Sequence, residues 1–154
     1  MKKCIILQIN YLILICLFIP CVAIAQPICQ IQRFSAYNGL AQRSVTNILQ
    51  DSKGFIWFST WNGLNKFDGY TFKNYKAFPG DGCTLTSNRL AKITQTQTCD
   101  IWCQTYDLRI YLFDSRREKF IDILRPYENE KQQTYAVQNV YTLPKGVSWI
   151  VCDR

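Results

Sequence analysis

From Ser44 to Tyr75 the chain alternates short apolar runs with turn residues, in the order SVTNILQDSKGFIWFSTWNGLNKFDGYTFKNY. The run SVTNILQD alternates branched apolar with polar residues, as a strand with one buried face does. SKG is a turn with Gly last. FIWFST is aromatic and β-branched on consecutive residues, as a strand buried on both faces must be. WNG contains Asn-Gly, the strongest two-residue hairpin signal. LNKFD and FKNY alternate again, with the turn GYT between them. The pattern predicts four short strands joined by three tight turns, an antiparallel meander. No apolar stripe at helical spacing survives this punctuation, so a helical repeat is excluded.

The pattern recurs. Laid over Leu90–Thr105 without a gap, Val45–Thr60 places Val45 on Leu90, Ile48 on Ile93, Ile56 on Ile101, Trp57 on Trp102 and Thr60 on Thr105. After one inserted residue, Lys66–Asp68 falls on Leu112–Asp114, and Phe72 then falls on Phe120. A third copy opens with VQNVYTLPKGVSWIV, whose Trp149 follows Trp102 by 47 residues, as Trp102 follows Trp57 by 45. The second copy departs at three turn positions: Thr96 stands for Asp51, Cys99 for Gly54 and Leu108 for Gly63. These departures affect its turns and leave its strands intact.

A four-stranded meander repeated every 40–50 residues is the unit of a β-propeller. The expected fold class is therefore all-β: propeller blades built as four-stranded antiparallel meanders, in an incomplete ring of about two and a half blades. Boundaries follow from the repeat: an N-terminal strand at 26–43, a first blade at 44–86, a second at 87–135 and the start of a third at 136–154. Blades stacked around an axis bury both faces, and the wedges between them need large side chains. Nine aromatics between Phe55 and Phe78 (Phe55, Trp57, Phe58, Trp61, Phe67, Tyr70, Phe72, Tyr75 and Phe78) are read mainly as this packing. Asp51 and Asp68 sit at turn positions, where side-chain capping of the backbone accounts for them.

Residues 1–25 read as a secretory leader: basic MKK, an apolar run and AIA at Ala23–Ala25, with cleavage expected before Gln26. Pro20 before Cys21 disfavours a lipidation site. Without Lys2 and Lys3, 16 Lys and Arg stand against 11 Asp and Glu, a net of +5 spread along the chain. The densest basic patch, Ser115–Phe120, contains its own Glu118, so nucleic acid is not an expected partner. Five cysteines remain beyond the leader: Cys29, Cys83, Cys99, Cys103 and Cys152. The chain has no His, and the thiols lack paired-hairpin spacing, so they read as small packed side chains; no metal and no cofactor is expected.

The ordered set Asp51, Gly54, Trp57, Thr60, Gly63, Leu64, Asp68 and Gly69 closely resembles the repeat of the two-component regulator propeller. The likeness spans Phe34–Tyr75 most fully, the second copy less so, and the opening of the third. It implies the periplasmic sensor region of a Bacteroidetes-type hybrid two-component histidine kinase, a homodimer signalling by phosphorelay in response to oligosaccharides. It also implies that an N-terminal strand completes the last blade. In that frame the chain is the N-terminal part of a longer sensor. Its membrane attachment lies downstream, and without His it carries no kinase core and no enzyme activity of its own.

In propellers, the turns between second and third strands share one face with the connectors between blades, and that face often binds ligands. This places Trp61, Asn62, the connector Lys76–Asn88, Tyr106, Asp107 and Arg109 together. Rings beside amide and charged groups suit sugars, so Trp61, Tyr106 and Arg109 are the candidate ligand-binding residues, with turn chemistry as the alternative account of them. A second function class is an exported propeller glycosidase or lyase, for which Asp81, Asp100 and Asp107 are available but form no recognisable acid pair. A third is an interaction scaffold.

Overall fold

A computed structural model of the protein describes residues 31–77, 85–143 and 146–153. The leader read at 1–25, its cleavage point, Cys29, Phe78, Asp81 and Cys83 lie outside the described residues. The chain divides into two compact units, Met1–Gln32 and Arg33–Arg154, and the second carries every element below. It starts with a 3-10 turn at Ala36–Asn38. Eight strands follow: β1 (Val45–Gln50), β2 (Ile56–Thr60), β3 (Gly63–Phe67), β4 (Phe72–Tyr75), β5 (Leu90–Gln95), β6 (Ile101–Thr105), β7 (Ile110–Asp114) and β8 (Lys119–Asp122). A short helix α1 (Arg125–Lys131) leads to β9 (Ala136–Thr142) and β10 (Ser148–Asp153). β1–β4 and β5–β8 are antiparallel meanders in sequential order, and β9 pairs antiparallel with β10. These are propeller blades, and among the described residues they do not close a ring.

The register explains the consecutive apolar residues. Leu49, Trp57, Lys66 and Lys73 lie opposite one another as one row; Ile48, Phe58, Asn65 and Asn74 form the next row, on the other face. The Trp57 face packs against the second sheet: Trp57, Leu64 and Tyr75 meet Ile93, Ile101 and Phe113 in one core. The Trp57 and Phe113 rings are 5.6 Å apart, and those of Tyr75 and Phe113 4.6 Å. The other face of the second sheet, with Trp102 and Ile110, packs on Val137 and Val140 of β9. Each buried side chain of this size contributes about 1.5–3 kcal/mol. The tryptophan of each repeat points the same way: Trp57 is 2% exposed, Trp102 7% and Trp149 64%.

The wedge packing expected of most of these aromatics does not extend to Tyr70. Tyr70 is 91% exposed, at the tip of the β3–β4 turn, where no neighbouring sheet reaches. Nor do residues 33–43 form a strand. This segment crosses the outer face of the first sheet, where ladder donors, lying in the sheet plane, are out of reach. Side chains serve it instead: the Ala41 N–H donates to Asn65 Oδ1 (2.7 Å) and Asn74 Nδ2 donates to the Gly39 carbonyl (3.0 Å). Phe34 packs edge-on over Phe67 and Phe72, at 4.8 and 5.5 Å. Helix α1, entered through Pro126, was also not foreseen: its seven residues are too few for a periodic signal.

The turns match between the sheets although their residues differ. Asp51 accepts the N–H groups of Lys53 and Phe55 at Oδ1 and the indole N–H of Trp57 at Oδ2 (2.8 Å). Thr96 takes part of that role, its Oγ1 accepting the Asp100 N–H (3.0 Å). The Trp102 indole then donates to Ser148 Oγ instead (3.2 Å). Gly54 and Cys99 both have positive φ (88° and 68°), as do Gly63 and Leu108 (97° and 58°). Asp68 caps its own turn through the Tyr70 and Thr71 N–H groups, and these bonds hold its carboxyl below the usual range. A register shift recurs at Val45/Asn47 and at Leu90/Lys92. At the first, Thr46 Oγ1 donates across to the Leu90 carbonyl (2.8 Å), tying the two sheets together.

The Asn-Gly pair is not the two-residue core of the hairpin. Thr60 pairs with Gly63, so Trp61 and Asn62 are the loop residues, and only Gly63 takes positive φ. This is an ordinary turn closed by a left-handed glycine. A Cβ on Gly63 would lie 2.3 Å from the Tyr75 carbonyl oxygen. Gly63→Ala is therefore expected to destabilise by at least about 1–3 kcal/mol, the usual cost of a strained backbone position. Leu108→Gly, at the equivalent site, should change stability by less than about 1 kcal/mol, since relief of left-handed strain offsets added chain entropy. Urea midpoints of the two variants check this contrast.

Among the described residues no helix is long and apolar enough to cross a membrane. Cys103 is buried, Cys99 and Cys152 are half-buried, and all three are free thiols. Burial pushes the Cys103 thiol far up, so it is inert.

Candidate functional site

The β2–β3 and β6–β7 turns lie at one end of the sheets, beside the chain segments that lead into β1 and β5. Backbone bonds fix this arrangement: the Trp61 N–H donates to the Ser44 carbonyl (3.3 Å) and the Tyr106 N–H to the Arg89 carbonyl (3.0 Å). The Gly63 N–H donates to the Asn88 carbonyl (2.8 Å). Asn88 itself clamps Ala77, accepting its N–H and donating to its carbonyl, at 2.8 and 3.0 Å. Each turn is held from within by a fully buried threonine. Thr60 Oγ1 donates to the Gly63 carbonyl and accepts the Asn62 N–H; Thr105 Oγ1 does the same with Arg109.

Holding the turn from below leaves its first loop residue pointing outward. Trp61 is 46% and Tyr106 54% exposed. Their rings meet edge to face, 6.3 Å apart and at 88°. The Arg89 guanidinium lies 5.5 Å from the Trp61 ring centre. Sequence reasoning missed Arg89, although the repeat places it where Ser44 stands in the first copy.

Arg109 does not join this platform. Its side chain is 14% exposed and lies between two carboxylates. Nη2 donates to Asp122 Oδ2 (3.1 Å) and to Glu128 Oε2 (2.8 Å), and Nη1 donates to Glu128 Oε1. The Tyr135 N–H also donates to Glu128 (2.9 Å). The Glu128 bond pushes the guanidinium still further up, and the Arg109 bond holds the Glu128 carboxyl down. Arg109 thus fastens α1 to the second sheet, and its donors are spent inside the fold.

Of the acids available for catalysis, the two among the described residues, Asp100 and Asp107, form no pair. Thr86 Oγ1 donates to Asp107 (2.9 Å), and Asp100 sits in the β5–β6 turn at the opposite end, bonded by Thr98 and Ser115. At that opposite end Glu118 bridges the sheets, accepting from the Tyr75 hydroxyl (2.9 Å) and from Lys73 Nζ (2.6 Å). The Lys73 bond holds Glu118 below the usual range. Among the described residues no group of His, Cys, Asp and Glu is placed to hold a metal. The arrangement offers exposed ring surface and an exposed guanidinium.

Residues 39–62 match the model of the two component regulator propeller family. Over 53 residues, 34% of this chain, the sequence is 47% identical to a curated histidine kinase of Formosa agariphila. The structure resembles the crystal structure of the extracellular domain of a hybrid two component system from B. thetaiotaomicron, with a TM-score of 0.64 and 28% identity over 77% of this chain. The chain spans 4% of the first relative's length and 17% of the second's. The chain thus carries one match to the two-component regulator propeller repeat, at residues 39–62, within blades whose fold is similar to that of the extracellular domain.

Proposed function

We propose that the chain is part of the extracytoplasmic ligand-sensing propeller of a two-component sensor and that its ligands are oligosaccharides. The observation that carries the ligand class is the exposed edge-to-face pair of Trp61 and Tyr106, contributed by equivalent turns of two successive blades. Nothing in the packing requires these rings to be exposed, since their turns are already held by Thr60 and Thr105. Exposed rings stack on the C–H faces of sugars, and polar neighbours bond hydroxyls. In this reading the protein is exported, and phosphotransfer and homodimer formation belong to further regions of the whole sensor. Catalysis is disfavoured because Asp100 and Asp107 stand at opposite ends of β6.

Trp61→Ala and Tyr106→Ala are each expected to weaken saccharide binding about fivefold or more, about 1–3 kcal/mol for a lost aromatic contact. Neither should shift the unfolding midpoint much. Isothermal titration against a panel of trisaccharides checks this. Unchanged affinity in both variants would sink the assignment.

A further inference from the structure

We infer that the Trp61–Tyr106 platform selects an anionic oligosaccharide, one bearing a carboxylate or a sulfate ester, and that Arg89 is the residue that reads its charge. This rests on the oligosaccharide reading above and narrows it.

Three observations carry the inference. Arg89 is exposed, and among the described residues its guanidinium has no carboxylate partner and no hydrogen-bond acceptor; its one recorded partner is the Trp61 ring. A guanidinium resting against a ring keeps its planar fork of N–H donors, which matches a carboxylate or sulfate in bidentate fashion. Arg109, two residues beyond the β6–β7 loop tip, shows the contrast: two carboxylates neutralise it. Thirdly, among the described residues beside the platform the exposed cations outnumber the one exposed acid. Asp107 is bonded by Thr86 Oγ1, and Arg43, in the equivalent lead into β1, adds a second exposed cation beside the first turn. The end of the sheets that presents the two rings therefore presents exposed positive charge with them.

The position of Arg89 is fixed by the fold. Its carbonyl accepts the Tyr106 N–H and its N–H donates to Ser87 Oγ (3.2 Å), so its backbone is tied to the platform while its side chain is free to turn. A sugar stacked on Tyr106 or on the exposed part of Trp61 would bring an acidic substituent within reach of that guanidinium. A neutral sugar would gain the stacking and lose the ion pair.

The test is isothermal titration of the protein with three probes: trigalacturonic acid, a sulfated galactose disaccharide and neutral cellotriose. One or both acidic probes should bind at least tenfold tighter than cellotriose in 50 mM salt, and the excess should shrink at 500 mM. The two acidic arms tell carboxylate from sulfate. Arg89→Gln should remove the excess of acidic over neutral binding. Arg116→Gln/Arg117→Gln, in the β7–β8 turn at the opposite end, should change nothing. Equal binding of acidic and neutral probes, or indifference to Arg89→Gln, would overturn this inference while leaving the oligosaccharide reading intact. An equal loss from the distant double variant would also overturn it, by showing diffuse charge attraction. Absence of binding by all three probes would bring down the oligosaccharide reading and this inference with it.

Discussion

Replacing Arg109 with Ala is expected to lower the unfolding free energy by about 3–5 kcal/mol, because it strands two buried carboxylates without a counter-ion. Asp122 and Glu128 are 6% and 13% exposed at their side chains, and each accepts from this one guanidinium. A domain's total stability is about 5–15 kcal/mol, so the variant should unfold at much lower urea. Arg109→Lys should fall between, since an ammonium lacks the fork that serves both acids. The pH dependence follows from the Glu128 shift. Its carboxyl is depressed in the folded state, chiefly by the Arg109 bond. That contribution is present above the unfolded Glu value of about 4.3 and disappears as pH falls through the lower folded value. In Arg109→Ala the bond is gone, and protonation instead relieves a buried charge. The stability gap between variant and wild type should therefore narrow below about pH 4. Urea titrations of both proteins from neutral pH downward check it. A gap that stays constant would place the loss elsewhere than in the ion pair. The same experiment separates the two roles considered for Arg109, since a ligand contact would move affinity and leave stability alone.

Trp57→Ala should cost about 3–5 kcal/mol, as large aromatic truncations in cores do. Trp57 is fully enclosed between the first two sheets, stacked with Tyr75 at 6.0 Å and edge-on to Phe113. Trp57→Phe isolates one part of that cost. It keeps one ring in the wedge, removes the indole donor to the largely buried Asp51, an effect of about 1–3 kcal/mol, and leaves a smaller void than Ala does. Trp149 occupies the same place in the third repeat but is 64% exposed, so Trp149→Ala should cost less than about 1 kcal/mol. Equilibrium urea unfolding of the three variants gives the comparison. A cost at Trp149 equal to that at Trp57 would mean that the exposed face is covered in solution.

The strand pattern was legible because each strand carries its own signal. Alternation and consecutive apolar runs depend only on which faces are buried, and a meander has neighbouring strands adjacent in sequence. The repeat strengthened this: three tryptophans at nearly equal spacing assign one role to three positions. Turn capping by Asp51 and Asp68 was legible for the same reason, its partners lying within six residues. The exposed rings at Trp61 and Tyr106 followed from turn position.

What escaped the sequence depends on groups that are distant along it. Arg109 looked like a ligand contact because its partners, Asp122 and Glu128, lie 13 and 19 residues away, one of them on a helix too short to show a period. Arg89 carried no signal in the sequence, and only the fold sets it beside a ring 28 residues earlier in the chain. Phe34 gave no sign that it would cover the face of the first sheet. The amino-acid sequence by itself determined the blades, their order and their tight turns, since each is written in local periodicity and backbone preference. Only the tertiary structure decided which charges are spent inside the fold and which are left exposed, because pairing is settled by the distance between side chains that the blades bring together.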